Sequence, residues 1–312
     1  MEDVTGDDVM TREEWLQDLH NRRRTRTGLP PEAFPDEGGA SPATSDGGGV
    51  GNAMALIGDP VGHDESVAIS GYLAPSANEI LQLFSFVQFS PFVTTNPMYM
   101  DLAAKVDFSY ESANDQINAY SMFDGKTLYI RMLAGAARFA RLVSIAAARD
   151  LVGGDRGSSA FLKTLFRHFD GNMTERGALR MAGKCGLGRM FLNDAIRVKA
   201  SAISAGMLLT VLAHEMGHVV LGHVMRGDEV SNEISQNMER EADSFASSVI
   251  SASPFGEYMF TGMLFWHYAL MRLEELVGQS ASGMGDHPGS RERYENLVQA
   301  NPSKAAVFGL SV

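Results

Sequence analysis

The chain has 312 residues, 45% hydrophobic and 21% charged, enough apolar material for one large or two small globular domains and too much for a wholly disordered chain. Its 26 Lys and Arg stand against 38 Asp and Glu, a formal net charge of −12, which argues against a broad electrostatic footprint for nucleic acid or an anionic membrane. One cysteine, Cys185, excludes an intramolecular disulfide framework and a Cys-based zinc cluster, so a metal would have to be held by histidines and carboxylates.

The opening MEDVTGDD is acidic and lacks the basic-then-apolar order of a secretory signal, so a cytoplasmic protein is expected. Thr11 to Thr27 reads as a short helix, with Thr11 and Glu14 spaced as a capping box, ending in Arg22, Arg23, Arg24 and Arg26. That Arg-rich segment is a candidate docking peptide for a partner; the plainer alternative is a solvated tail. Gly28 to Gly51 is rich in glycine and proline, so residues 1–51 are expected to form a disordered tail and linker, and residues 52–312 one domain.

Beyond the linker, Ile80, Leu83, Phe84 and Val87 follow a helical period that Pro91 stops. The uncharged stretch from Ile80 to Met100 is long enough for a bilayer, but Gln82, Ser85, Gln88, Ser90, Pro91, Thr94, Thr95, Asn96 and Pro97 interrupt it, so no transmembrane segment is expected. Ile117 to Ser121 and Thr127 to Met132 read as strands joined across Asp124-Gly125. Leu133 to Leu151 is an Ala-rich helix stopped at Gly153-Gly154, and helices follow at Ser158 to Phe169 and Thr174 to Lys184. After a glycine cluster at Gly183, Gly186 and Gly188, one long helical pattern runs from about Asn193 to Met225, with further helices near 231–252, 256–277 and 290–299. The expected fold is mainly α with a small β-hairpin or sheet, an α+β class.

Within the long pattern stands VLAHEMGHVVLGH, where His214 and His218 lie four apart and Glu215 follows the first. On a helix both imidazoles leave the same face and can share one ion, and the apolar neighbours Leu208, Leu212, Val219 and Val220 place that helix in a core where unpaired polar groups are costly. Zinc, one ion per chain, suits two neutral nitrogens and an oxygen. The residues at the metzincin third-ligand spacing are Leu221 and Val224, which excludes that class. The gluzincin class takes a glutamate from a following helix, and NMEREADSFA supplies Glu239; Asp243, one turn on, shares its face and can accept the free N–H of a ligand histidine, while Glu241 points elsewhere and is the weaker ligand candidate.

These residues resemble the gluzincin peptidase family that contains HtpX and the CAAX prenyl proteases, with Glu239 and Asp243 at the positions of its ExxxD region. Asn118-Ala119-Tyr120 resembles the family's NAF/NAY edge strand beside the catalytic cleft, and DHPGSRERYENL resembles its HPxxxxR tail. ImmA/IrrE-like and Lit-like intracellular metallopeptidases are close competitors. The resemblance implies a zincin-like domain and a zinc-dependent endopeptidase acting on protein or peptide substrates. Its implied parts are His214, His218 and Glu239 as metal ligands, Glu215 as general base, Asp243 as orienting acid, and Asn118, Ala119 and Tyr120 as the substrate edge. His287 and Arg293 are implied as a transition-state stabiliser or a gate. The alternatives are a non-catalytic metal-stabilised interaction module and a regulatory or phage-defence peptidase with one host target.

The other histidines read as bystanders. His223 faces away from His218 on an ideal helix and is structural or orienting; His267, among Phe265, Trp266 and Tyr268, is a satisfied core or surface histidine; His20, His63 and His168 have no partner at ligand spacing. Cys185 lacks the context of a nucleophile, and the 18 methionines are mostly core filling, with Met207, Met216, Met225 and Met238 as candidates for a soft groove.

Overall fold

The computed structural model describes residues 63–153, 160–167, 169, 173–226, 230–253, 256–277 and 289–307; the expected N-terminal helix and linker, His20, His168 and His287 lie outside the described residues. Polar caps divide the uncharged stretch after residue 76 into short helices. The first helix, α1 (His63–Leu73), is followed by α2 (Ala77–Gln88), α3 (Pro91–Thr94) and α4 (Pro97–Ala103). Ser76, Ser90 and Asn96 each accept a hydrogen bond from a backbone N–H of the helix they begin. Pro91 and Pro97 stand at helix starts, where a missing N–H removes no helical bond. Pro91 therefore ends one helix and opens another, and Ile80, Phe84, Val87 and Val93 turn into the core.

Three strands follow: β1 (Val106–Glu111), β2 (Ala119–Phe123) and β3 (Leu128–Leu133), in the order β1-β3-β2. The β2–β3 hairpin is the expected one. It turns at Gly125, whose φ of 89° suits glycine, while the Asp124 carboxylate accepts the N–H groups of Lys126 and Thr127 at 2.9 and 2.7 Å. β1 has no counterpart in the sequence reading; it pairs parallel to β3, Val106 opposite Leu128 through Glu111 opposite Leu133. Its residues are mostly half-buried and alternate weakly, so only the pairing partner makes the segment a strand.

The remaining helices are α5 (Ala134–Val152), α6 (Ala160–Arg167), α7 (Glu175–Lys184), α8 (Leu187–Phe191), α9 (Asp194–Val220), α10 (Asn232–Ser251), α11 (Gly256–Val277), α12 (Ser290–Ala300) and α13 (Pro302–Val307). α9 is the axis of the fold, packed against α2, α4, α5, α10, α11 and β2. By length and composition it would cross a membrane, yet most of its apolar stretch is buried among these neighbours. The Ala-rich α5 is buried almost all round; small side chains let it lie close to α9, and its two buried cations reach outward for partners. Arg138 donates to the Asp115 carboxylate at 2.5 Å and the Met173 carbonyl at 2.9 Å, and Arg141 donates to the Tyr72 carbonyl and to Glu79.

Two points of α9 depart from the expected pattern. It stops at Val220 rather than near Met225: the N–H groups of Leu221 and Gly222 close back on Gly217 and Val219, Gly222 takes φ 74°, and His223–Met225 form a 3-10 turn. The second is a backbone-to-backbone crossing of α9 and α11. A Cβ at Gly262 would stand 2.4 Å from the Ile203 carbonyl oxygen and 2.5 Å from the Gly206 Cα. Replacing Gly262 with alanine must push the two helices apart, at a cost of about 1–3 kcal/mol or more, read as a lowered melting temperature in thermal unfolding.

Candidate metal centre

The centre is made where α10 crosses α9. Gly217, inside the HExxH segment, faces Ala242; a Cβ there would lie 3.1 Å from the Ala242 Cα and 3.2 Å from the Phe245 Cβ. Ala242, Phe245, Ala246, Val249 and Ile250 are the buried face of α10, and the Phe245 ring meets Phe92 and Tyr99 edge-on. This close approach carries the Glu239 carboxylate between the two imidazoles of α9. Glu239 Oε2 is 3.2 Å from His214 Nε2, Glu239 Oε1 is 3.3 Å from His218 Nε2, and the two Nε2 atoms are 3.1 Å apart.

Three donors bonded tetrahedrally to one zinc ion at ordinary Zn–N and Zn–O lengths stand about 3.3–3.4 Å from one another, close to the triangle seen here. The electrostatics agree with that fit. Glu215 and Glu239 are buried acids, and with Asp243 they bring three acidic groups against the single guanidinium of Arg293, an excess of negative charge that a divalent cation offsets. Burial disfavours a charged His214 ring, but the bonds from Asp243 and Glu239 outweigh it and lift the pKa to about 10. Without a metal, the site thus draws in a proton as its cation. His214, His218 and Glu239 are the described residues that can hold a metal ion together.

Behind His214, Asp243 Oδ1 lies 2.9 Å from Nδ1. Arg293, from α12, donates Nε–H to Asp243 Oδ2 at 2.7 Å and a terminal N–H to Oδ1 at 2.5 Å, a two-bond clamp. Burial would raise the Asp243 pKa, but Arg293 first and His214 next hold its carboxyl far below the usual carboxylate range. Behind His218 stands His223, with the two Nδ1 atoms 3.1 Å apart, and His223 Nε2 lies 2.9 Å from Glu241 Oε2. Burial keeps the His223 pKa below the ordinary value although Glu241 pulls it up.

The structure brings together His214, His218, Glu239, Asp243 and Arg293, and Glu215 is buried next to His214 on α9, near enough to help raise the Arg293 pKa. β2 packs along α9 and against the 3-10 turn as an outer strand of the sheet. Asn118 gives its carbonyl to the Leu133 N–H, and Tyr120 sends its hydroxyl to Glu111 Oε1 at 3.2 Å. By the alternation of an antiparallel ladder, Ala119 and Ser121 direct their backbone groups away from β3, whereas Asn118 and Tyr120 face it.

Three readings from the sequence change, and that of Glu241 does not. His223 is brought to His218 because the helix ends at Gly222, so the angle of an ideal helix does not apply. Glu241, expected to point away from Glu239, does so and pairs with His223. His267 is not satisfied among the described residues: it is buried with no hydrogen-bond partner there for Nδ1, and burial, against the pull of Asp243, lowers its pKa to about 3, so the ring is neutral. Met207 and Met216 are fully buried core and line no groove. Sequence reasoning missed Gly217, whose signal is a glycine inside the last turn of a buried helix, where alanine would favour the helix more.

The fold and site together define a candidate metal centre on an HExxH helix, with a carboxylate supplied by the next helix. The chain is similar to the Peptidase U49 family, whose model matches residues 191–308, from the end of α8 to α13. That stretch holds the three candidate ligands, Glu215, Asp243 and Arg293, and leaves the sheet outside. No curated protein and no solved structure matches the chain.

Two outcomes follow from this geometry. Gly217→Val must drive α10 off α9 and separate Glu239 from the imidazoles, weakening zinc binding at least tenfold in a chelator competition titration. The second concerns pH in the metal-free chain. The His214 pKa is raised from about 6.5 unfolded to about 10 folded, so its contribution to stability is complete below pH ~6.5 and is lost as pH rises through about 10. Thermal unfolding of chelator-stripped protein should show that decline, and His214→Gln should flatten it.

Proposed function

We propose that the protein is a zinc-dependent endopeptidase of the gluzincin type. The observation that carries this reading is the convergence of His214, His218 and Glu239 on one point beside Glu215. The Peptidase U49 match over the same residues supports it independently. Three protein ligands suit a catalytic zinc site, which keeps a position open, and Glu215 has no role in a purely structural one.

His214 and His218 would hold the ion through Nε2 and Glu239 through its carboxylate. The chemistry such an ion would supply is a lowered pKa for a bound water and polarisation of a peptide carbonyl. Glu215 accepts the proton of the attacking water and returns it to the leaving amine. Asp243 accepts the Nδ1–H of His214 and fixes the tautomer in which Nε2 is free. Arg293 acts mainly through Asp243, which takes its two short hydrogen bonds, and its guanidinium also stands 3.9 Å from Glu239 Oε2. An extended substrate adds to β2 through main-chain hydrogen bonds with Ala119 and Ser121, which carries modest sequence selectivity.

Glu215→Gln should leave zinc bound at one ion per chain and lower cleavage of casein or a peptide library by about 10²–10⁴-fold. A purified chain that binds no zinc, or equal cleavage by the variant, would sink the reading. N-terminal profiling of cells carrying the active and Glu215→Gln forms would name the substrate.

A further inference from the structure

The His223–Glu241 pair stands outside every role given above, yet it touches the centre. His223 is carried by the 3-10 turn and Glu241 by α10, and the two meet behind His218 as Asp243 and Arg293 meet behind His214. The His223 side chain is 1% exposed and the Glu241 side chain 59%, so the chain of contacts runs from the buried ligand to the surface.

Hydrogen-bond bookkeeping gives this chain one direction. A neutral histidine has one donor nitrogen and one acceptor nitrogen. His218 turns Nε2 towards Glu239 and His214, so as a ligand it binds through Nε2 and its proton is on Nδ1. With Nδ1 of His223 at 3.1 Å, that proton is donated to His223, whose own proton must then be on Nε2, 2.9 Å from Glu241 Oε2. Each atom in the series has a partner of the required kind.

We propose that His223 and Glu241 are positioning residues for the metal: Glu241 sets the tautomer of His223, and His223 in turn fixes the ring orientation and tautomer of His218. The inference rests on the proposed metal site and goes beyond it. Partners of this kind behind a ligand histidine typically change metal affinity 10–100-fold. Gly222 makes the arrangement reachable, because its positive φ reverses the chain between the two histidines. An α9 continued through residue 223 would carry that ring to another face.

The test measures zinc affinity of the full chain by chelator competition, with circular dichroism of each metal-free variant. His223→Leu removes the acceptor and should weaken zinc 10–100-fold. His223→Asn offers an amide oxygen where Nδ1 lies and should recover most of that loss. Glu241→Ala should weaken zinc by a smaller factor, because water can replace an exposed acceptor. Tight zinc binding by a folded His223→Leu chain would overturn the proposal. So would equal losses in His223→Leu and His223→Asn, which a packing role predicts. If His223→Leu does not fold, unchanged affinity in Glu241→Ala overturns it. Failure of the parent chain to bind zinc removes the metal centre itself, a result distinct from parent-like variants.

Discussion

The close crossing of α9 and α10 at Gly217 and Ala242 is the constraint on which the centre depends. Two imidazoles one helical turn apart form only an edge of a coordination polyhedron, and a carboxylate must come from elsewhere to within about 3.3 Å of both. Without a side chain at Gly217, the two backbones approach far enough for Glu239 to reach His214 and His218. The apolar face of α10 holds that approach against the repulsion of buried acids, with Phe245 wedged against Phe92 and Tyr99. Packing, rather than attraction between the ligands, sets the triangle.

Much of the rest of the chain serves to keep α9 straight and buried. α5 and α11 flank it, α11 through the backbone contact of Gly206 with Gly262, and α2 and α4 complete its surroundings. Rigid burial has an electrostatic consequence: charges near α9 cannot be left to water and must be paired. Arg293 and Asp243 pair behind His214, and Glu241 stands behind the histidine that backs His218. The two ligand imidazoles thus have separate supports, one a carboxylate clamped by a guanidinium and the other a histidine ending in a surface carboxylate.

Helices were legible wherever a strong apolar period ended in a cap or a glycine. α5, α7, α10, α11 and α12 fall within a few residues of their expected spans, and the β2–β3 hairpin follows from Asp124-Gly125. β1 was not legible, because its stability as a strand comes from β3 and its own alternation is weak. The two prolines after α2 read as breaks, whereas the structure uses both as helix starts. His267 read as a satisfied core or surface histidine from its aromatic neighbours, yet its Nδ1 has no hydrogen-bond partner among the described residues; neighbours in sequence on a helix point to different faces and do not report what packs against them.

The sequence by itself determined that the chain can carry a His-based metal site, since the i, i+4 spacing puts both rings on one helix face whatever surrounds it, and the single cysteine leaves only histidines and carboxylates as donors. Through the gluzincin pattern it also pointed to Glu239, ahead of Glu241, as the carboxylate. Tertiary structure decided that Glu239 is the acid between the imidazoles, that Arg293 clamps Asp243, and that His223 turns back onto His218. These depend on the crossing angle and separation of helices and on one left-handed residue at Gly222. Such quantities arise from packing between segments distant in sequence, and no local period or propensity encodes them.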